Sequence, residues 1–282
     1  MMNGRAQSAI EYLTTYVWAL ILISIVAVIL FFFSGYGNVP PSGIGGACVA
    51  FRPNGPGTLP IFLQGVCNDA EPKYVASLLS PTSAIDTPLA FSSNTIATTV
   101  SAWVKINETA GNHPVISSTW TLAENGGELW FYACTGGGFT NGSSFHAGSI
   151  QNNTWAHVVV TLAPTTPPNE NVTLYINGVK SMSNTTVSGL SVGSDYLIGS
   201  SVTCGAGQFN GYIANMQIYN TVLSPSQVRA LFEQGIGGIP ISINSLSAWY
   251  QFNGDTTDYS GNGENATASS STFTQSWQSG YN

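Results

Sequence analysis

The chain has 282 residues, enough for one large β domain or two modest ones beside a membrane segment. Only 7% of the residues are charged, against roughly 25% in an ordinary soluble domain, and the net charge is −7. With six Lys and Arg in the whole sequence, the clustered positive charge that nucleic-acid binding needs is missing, so nucleic acid is excluded as a partner.

The first predicted element is a helix of membrane length. Residues 12–33 contain no charge, no Pro and no Gly, and at about 1.5 Å per residue such a run crosses the hydrocarbon core of a bilayer. Arg5 lies before the run and, by the positive-inside rule, places the N-terminus in the cytoplasm. We therefore expect a membrane-anchored protein whose C-terminal domain is extracytoplasmic, at the cell surface.

The residues just before this run carry a family resemblance. Ordinary secretory signals are cut after their apolar region, but here a small-residue cleavage site, Gly4-Arg5-Ala6, precedes it and is followed by Gln7-Ser8-Ala9-Ile10-Glu11-Tyr12-Leu13. This pattern resembles the class III signal peptide of archaeal type IV pilins, in which a membrane peptidase leaves a Glu at the fifth mature position. The resemblance implies a leader over 1–6, cleavage between Ala6 and Gln7, a transmembrane and polymerisation helix over 7–34, and a place in a pilus.

Glu11 has two interpretations. A carboxylate at the edge of hydrocarbon needs a partner, and the α-amino group created at Gln7 of a neighbouring subunit would neutralise it during self-assembly. Alternatively, Glu11 is a solvated flank among the headgroups of a plain membrane anchor.

A Gly/Pro-rich linker over 35–46 leads to a turn-rich segment over 47–72, for which we predict a disulfide-closed hairpin or loop. The four cysteines, Cys48, Cys67, Cys134 and Cys204, include no C-x-x-C pair, and the three histidines lack zinc-ligand spacing. They allow three pairings. We favour Cys48–Cys67 and Cys134–Cys204, with four buried thiols as the alternative.

Several sequons suggest a glycoprotein. The N-x-[ST] pattern for N-glycosylation is weak at any single position, but its repetition in a charge-poor chain with an export segment favours an exported, glycosylated protein. The candidate acceptors are Asn107, Asn141, Asn152, Asn171, Asn184 and Asn265.

From residue 73 onward, short β-prone runs alternate with turn signals, which predicts an antiparallel β-sandwich with one short helix. Asn177-Gly178 predicts a tight hairpin turn. Ser224 as N-cap, Pro225 at the first position and Gln227 at the third predict the helix, which ends at Gly235. The predicted strands are Tyr74–Ser77, Thr98–Val104, Leu129–Ala133, Ala156–Leu162, Asn171–Ile176, Tyr196–Ile198 and Gly211–Tyr219.

The order of these elements resembles a laminin-G-like jellyroll of the concanavalin A-like superfamily, over about residues 73–235. The segments that carry the likeness are 99–105 (TVSAWVK), 154–161 (TWAHVVVT), 174–178 (LYING), 198–199 (IG), 209–220 (FNGYIANMQIYN) and 223–224 (LS). The resemblance implies two curved antiparallel sheets packed face to face, so that the fold class is mainly β behind an N-terminal transmembrane helix.

The aromatic residues divide into two groups. Trp103, Trp155 and Tyr175 lie at strand positions and are predicted to pack in the core, where most such side chains are found. Trp120, Trp130 and Phe139 lie near Gly-rich turns and are the candidates for stacking on a sugar, with core packing as the alternative. We expect His157 to be a strand histidine whose role is structural.

The C-terminal segment 244–282 contains residues 247–267, which look like the usual opening of such a domain but occur at its end. We favour a permuted first strand over a truncated second domain, since too little chain remains for a second jellyroll. Asp255, Asp258 and Asn262 offer oxygen ligands for calcium but lack EF-hand spacing, so a turn held by Asx hydrogen bonds is preferred. The sequence indicates no other cofactor.

Catalytic motifs are missing from the sequence. It has no Gly-x-Ser-x-Gly and no Glu-x-Asp-x-x-Glu strand motif, and we place its few glutamates, Glu108, Glu124, Glu128 and Glu170, in turns. We therefore predict a non-enzymatic, pilin-like filament subunit whose head serves adhesion or the recognition of a glycan or a surface protein. The alternative is a membrane-anchored lectin or adhesin that does not polymerise.

Overall fold

The computed structural model of the chain contains two compact units, one formed by residues 1–48 and 63–67 and the other by residues 49–62 and 68–282. The structure describes residues 16–17, 21–26, 47–50, 61–64, 74–89, 97–108, 110–135, 138–139, 144–165, 169–188, 190, 196–201, 207–269 and 272–275.

Most of the predicted membrane helix lies outside these residues. Residues 16–17 and 21–26 are helical, and the rest of 7–34, the leader over 1–6 and the linker over 35–46 are not described. Within the described part of the chain, no helix is both long enough and apolar enough to cross a membrane.

Two large antiparallel sheets form the second unit. Sheet I has the strand order β10-β8-β7-β6-β14-β4-β19, with β9 paired to β8. Its strands are β4 (Ala84–Asp86), β6 (Asn112–Ser117), β7 (Trp120–Asn125), β8 (Glu128–Thr135), β9 (Gly138–Phe139), β10 (Phe145–Ser149), β14 (Leu197–Ile198) and β19 (Thr267–Ser269).

Sheet II has the order β13-β12-β11-β5-β17-β3-β20, with β18 paired to β17. Its strands are β3 (Tyr74–Leu78), β5 (Thr98–Ile106), β11 (Trp155–Pro164), β12 (Asn169–Ile176), β13 (Val179–Ser188), β17 (Gly211–Tyr219), β18 (Leu246–Tyr250) and β20 (Thr272–Gln275). Two small two-stranded sheets pair β1 (Ala47–Ala50) with β2 (Ile61–Gln64), and β15 (Ser200–Ser201) with β16 (Gly207–Gln208).

The core lies between the two sheets. Alternate residues of each sheet, such as Leu122 and Phe131 in sheet I and Val104 and Val158 in sheet II, belong to one buried cluster. This period-2 alternation is what the strand pattern requires. The predicted antiparallel sandwich is therefore confirmed, and each of the seven predicted strands overlaps an observed one.

The central strands of sheet II are buried on both of their faces. Helix α1 (Pro225–Glu233) packs Val228 and Leu231 onto the outer side of the sheet, against Val159 and Trp249. For this reason β5 and β11 are buried at nearly every position instead of at alternate positions.

The local signals of helix and hairpin are confirmed. The side chain of Ser224 accepts a hydrogen bond from the backbone N–H of Gln227, and the Gln227 side chain accepts one from the N–H of Ser224, which forms a capping box. Asn177 and Gly178 both have positive φ, 51° and 73°, as a two-residue type I′ hairpin requires between β12 and β13.

The C-terminal segment belongs to the same sandwich. β18 pairs with β17 in sheet II, β19 pairs with β4 in sheet I, and β20 pairs with β3 in sheet II. The chain thus returns to both sheets after the helix, where its strands add to the existing ladders instead of starting a second domain.

Candidate ligand-binding cleft

An aromatic cluster lies on the outer face of sheet I. Trp130 and Tyr132 alternate along β8 with the core residues Leu129 and Phe131, so that their rings point away from the core. His146 on β10 lies directly opposite Trp130 in the β8–β10 ladder. The Trp130 ring stacks on Tyr132 at 5.4 Å with an interplanar angle of 9°, and on His146 at 4.6 Å with an angle of 28°.

A carboxylate accompanies the cluster. The Nδ1 atom of His146 lies 3.1 Å from Oε2 of Glu128, two residues before Trp130 on β8. The two side chains are 50% and 41% exposed, so solvent screens the pair and its contribution to stability is small. Its use is geometric, because it fixes the imidazole beside the indole.

The cluster borders a cleft of about 460 Å³, within the range of small-ligand sites. The cleft lies where the edge strand of sheet I, β10, approaches the edge strand of sheet II, β13, and the Ser181 hydroxyl accepts a hydrogen bond of 2.8 Å from the backbone N–H of Gly148 there. We call it the β10–β13 cleft. Its lining consists of Trp130, Ser144, Phe145, His146, Ala147, Ser181 and Met182.

Two polar atoms of this lining are buried and unpaired. Neither the indole N–H of Trp130 nor the hydroxyl of Ser144 has a hydrogen-bond partner in the part of the chain that the structure describes, although both are shielded from solvent. A buried polar group left without a partner costs about 1–3 kcal/mol. The wall of the cleft therefore holds a donor and a hydroxyl that a ligand would reach only if the surrounding side chains moved.

The three residues predicted to stack on sugars have different positions. Trp130 lines the cleft, as described above. Trp120 is only 4% exposed and packs in the core at 5.7 Å from both Phe131 and Tyr196. This burial argues against a ligand-binding role for Trp120, because β7 turns this position inward. The Phe139 side chain lies outside the described residues.

His146, Glu128 and Met182 were not predicted as site residues. No local signal marks them, because their proximity to Trp130 depends on the β8–β10 register and on the approach of β13. The glutamates also differ from expectation. Glu124, Glu128 and Glu170 lie on strands β7, β8 and β12 instead of in turns.

The expected core aromatics are buried. Trp103, Trp155 and Tyr175 are 2%, 8% and 4% exposed on the outer face of sheet II. His157, also on that face, is 1% exposed, and its Nε2 lies 2.8 Å from Oγ of Ser101. Burial lowers the pKa of His157 to about 3, so that the imidazole is neutral at pH 7 and acts as a packed strand residue.

The calcium candidates hold a turn. The Asp258 carboxylate, 1% exposed, accepts hydrogen bonds from the backbone N–H groups of Trp249, Ser260 and Glu264 and from the Ser260 hydroxyl, at 2.8–3.0 Å. Asp255 accepts hydrogen bonds from the N–H of Thr257 and the hydroxyl of Tyr259, and the amide of Asn262 donates to two backbone carbonyls. The carboxylate oxygens of both aspartates and the amide nitrogen of Asn262 are engaged in protein contacts, the arrangement of an Asx-stabilised turn. Among the described residues, no group of three or more His, Cys, Asp or Glu side chains could hold a metal ion.

Other predicted positions fall wholly or partly outside the described residues. Cys134, buried at the end of β8, takes part in a disulfide, while the side chains of Cys48, Cys67 and Cys204 are not described, so the predicted pairing stays a prediction. The described residues also do not include the processing and assembly residues, Ala6, Gln7 and Glu11, or the sequon residue Asn141.

Comparisons with known proteins agree with the fold. Residues 80–229, just over half of the chain, match a laminin G-like family described as the concanavalin A-like lectin/glucanases superfamily. A comparison with curated protein sequences gives no match.

Solved structures share the architecture at low identity. A protein from Bacteroides ovatus ATCC 8483, described as a candidate carbohydrate-binding protein, is 14% identical with a TM-score of 0.56, over 77% of this chain and 66% of that one. A SAP-like pentraxin from Limulus polyphemus (14%, TM-score 0.43, over 58% and 83%) is more distant. So is the CBM40 of a Ruminococcus gnavus sialidase bound to α2,3-sialyllactose (14%, TM-score 0.42, over 56% and 96%). At these identities the similarity concerns the fold alone.

Proposed function

The chain belongs to the concanavalin A-like lectin/glucanases superfamily, and from that premise we propose that it is a non-enzymatic surface protein that binds a neutral glycan in the β10–β13 cleft. The observation that carries the proposal is the aromatic cluster, in which Trp130 and His146 line the cleft and Glu128 adjoins it.

The lining matches the surface of a sugar ring. Pyranose rings present an apolar C–H face and a rim of hydroxyl groups, so that a site needs aromatic surface and a few polar groups. Trp130, His146 and Met182 provide the apolar surface, while the exposed Ser181 hydroxyl in the lining and the Glu128 carboxylate beside it provide polar groups.

The charge of the site favours a neutral ligand. Acidic sugars are recognised through Arg or Lys, because the guanidinium fork pairs with a carboxylate. None of the described lining residues is Arg or Lys, and Glu128 adds a negative charge beside the cleft. A sialic or uronic acid would therefore be repelled, whereas an uncharged hexose or N-acetylhexosamine would not.

The carboxylates do not form a hydrolytic pair. Glycoside hydrolysis generally uses two carboxyl groups about 5–9.5 Å apart across the scissile bond. Glu128 is the one carboxylate beside the described part of the cleft, while Glu124 and Glu170 are 0% and 8% exposed on other strands. This arrangement supports binding without catalysis.

The proposal is tested with full-length protein in detergent on an array of neutral and acidic glycans. We expect neutral glycans to bind, and Trp130→Ala to weaken their binding at least about tenfold, the equivalent of about 1.4 kcal/mol. Met182→Ala removes apolar surface from the lining and should weaken glycan binding. The matched control is Val179→Ala, which lies on the same strand but outside the lining and should leave binding unchanged. Binding that is unchanged in Trp130→Ala, or confined to acidic glycans, would contradict the proposal.

The N-terminal segment supports a second part of the proposal, that the protein is an exported, membrane-inserted subunit of a pilin-like filament. The described residues 21–26 of that segment include Leu22 and Ile23, whose side chains are 61% and 65% exposed. Apolar side chains this exposed call for lipid or a second helix as a partner. Together with the processing pattern before Gln7, this exposure favours a helix that inserts into the membrane and then assembles.

Two measurements separate the filament subunit from a plain membrane-anchored lectin. A mature N-terminus at Gln7, determined by mass spectrometry of protein from its native host, supports the filament, and an intact Met1 supports the anchor. Glu11→Ala should abolish incorporation into surface filaments while leaving the fold of the head unchanged. Normal filaments containing the variant would exclude the assembly role of Glu11.

A further inference from the structure

The sequons lie in different structural settings. Four of them are described over all three residues, and they begin at Asn152, Asn171, Asn184 and Asn265. An enzyme that reads N-x-[ST] must contact the amide and the hydroxyl two residues later at the same time. The contacts that these two groups make therefore indicate which sequon a transferase can use once the protein has folded.

At Asn184 the two groups touch each other. The Oδ1 atom accepts hydrogen bonds from the backbone N–H and from the hydroxyl of Thr186, each at 2.9 Å. This arrangement is an Asx turn, which folds the sequon into a compact unit. The turn uses Oδ1 of the Asn184 amide and does not use Nδ2, the atom that a transferase would glycosylate. Among the four fully described sequons, this one joins its amide directly to its hydroxyl.

The turn lies in a β-bulge on a free edge. The β12–β13 register shifts between Glu170 and Val172, opposite the stretch from Asn184 to Val187, so the sequon leaves the regular ladder there. β13 is the terminal strand of sheet II, and Thr185 and Thr186 are exposed. An enzyme can approach the sequon without opening the sheet.

The other three sequons lack this arrangement. Asn171 lies on the interior strand β12, where its Oδ1 is buried without a partner and Thr173 is 7% exposed. The Oδ1 of Asn265 accepts the N–H of Asp258 and so holds the C-terminal turn. The hydroxyl of Thr154 donates to the backbone carbonyl of Asn152, 3.4 Å away, and not to its amide.

We infer that Asn184 is the principal N-glycosylation site of the folded protein and that Asn171 is not modified. In the transfer, Nδ2 forms a bond to C1 of a sugar supplied as a glycosyl phosphate donor. The C1–O bond of the donor breaks, the phosphate leaves with the bonding electron pair, and the proton lost by Nδ2 passes to a base of the transferase. The attached glycan would also cover the free edge of β13, which protects it from pairing with other strands.

The test is glycopeptide mapping by mass spectrometry of protein from its native host. We expect glycan on the peptide that contains Asn184, and the unmodified form of the peptide that contains Asn171. Asn184→Gln should remove one glycan mass from the intact protein, and Asn171→Gln should leave that mass unchanged.

The hydroxyl is tested separately from the fold. Thr186→Val keeps the acceptor and the exposed surface but should lower occupancy at Asn184 at least about tenfold, and Thr186→Ser should restore it. A thermal melt of each variant checks folding. An unmodified Asn184 in the wild-type protein, or equal occupancy at Asn171, would overturn the inference.

Discussion

Asp258 provides the sharpest test of how the C-terminal segment is held. Its carboxylate accepts four hydrogen bonds, those from Trp249 and Ser260 N–H at Oδ1 and those from the Ser260 hydroxyl and Glu264 N–H at Oδ2. Asp258→Ala would leave all four donors without their acceptor at a site that is 1% exposed.

The magnitude follows from these contacts. A hydrogen bond to a charged group contributes about 1.5–3 kcal/mol, but such bonds are not additive, and water entering the vacated space restores part of the loss. We therefore expect the free energy of unfolding to fall by about 4 kcal/mol, which corresponds to roughly 10 °C in Tm for a chain of this size. Asp258→Asn keeps one acceptor oxygen and should lose about half as much.

The assay is urea and thermal unfolding of the full-length protein in detergent, followed by tryptophan fluorescence and circular dichroism. Asp255→Ala is the matched control, because this half-buried carboxylate accepts only two hydrogen bonds and its removal should cost about 1 kcal/mol. Calcium and a chelator should both leave the wild-type Tm unchanged. A loss below 1 kcal/mol in Asp258→Ala, or a Tm that follows calcium, would refute the structural role of Asp258.

Three further predictions concern turn geometry and pH. Gly178→Ala should lower the free energy of unfolding by about 3 kcal/mol, since φ is +73° there and an added Cβ would lie 2.9 Å from the Cβ of Phe232. The control is Gly126→Ala, which should cost only about 1 kcal/mol because φ is +65° but no atom lies within 4 Å of the added Cβ. Equal losses of the two variants in urea melts would contradict the role of the Phe232 contact. Burial raises the pKa of Glu170 to about 7, so the contribution of this carboxyl group to stability is complete below the unfolded value of 4.5 and is lost as the pH rises through 7. The free energy of unfolding of Glu170→Gln, relative to that of the wild type, should therefore be about 2 kcal/mol higher at pH 8 than at pH 4.5. A difference between the two proteins that does not change with pH would contradict this prediction. Burial lowers the pKa of His157 to about 3, and the resulting pH dependence of stability has the opposite sign: stability is lost as the pH falls from 6.5, by up to about 1.4 kcal/mol per pH unit. His157→Gln should remove this slope, which thermal melts between pH 6 and 4 would measure.

Much of the fold follows from local sequence. Asn177-Gly178 specifies a type I′ turn because both residues tolerate positive φ, and Ser224-Pro225 with Gln227 starts the helix because these side chains satisfy free backbone N–H groups. The strands around Val100 and Val158 follow from β-branched and aromatic runs. Each of these signals acts within a few residues, which is why the sequence reveals it.

The candidate cleft follows from the sequence only in part. Trp120 and Trp130 look alike in the sequence, each near a turn and on a β-prone run. The β7–β8 register places Trp120 opposite Ala133, a core position, and Trp130 opposite Ala123, on the outer face. A shift of one residue would exchange these faces, so strand pairing and not composition decided which of the two rings lines the cleft.

By itself, the sequence determined a charge-poor β chain, its sandwich class, its helix cap and its hairpin, because composition and short-range backbone chemistry decide those. The tertiary structure alone decided that His146 and Met182 join Trp130 at one cleft, that Asp258 closes a turn, and that Asn184 lies in a bulge at an open edge. These arrangements bring together strands far apart in the chain, and non-local strand register leaves no mark within any single segment.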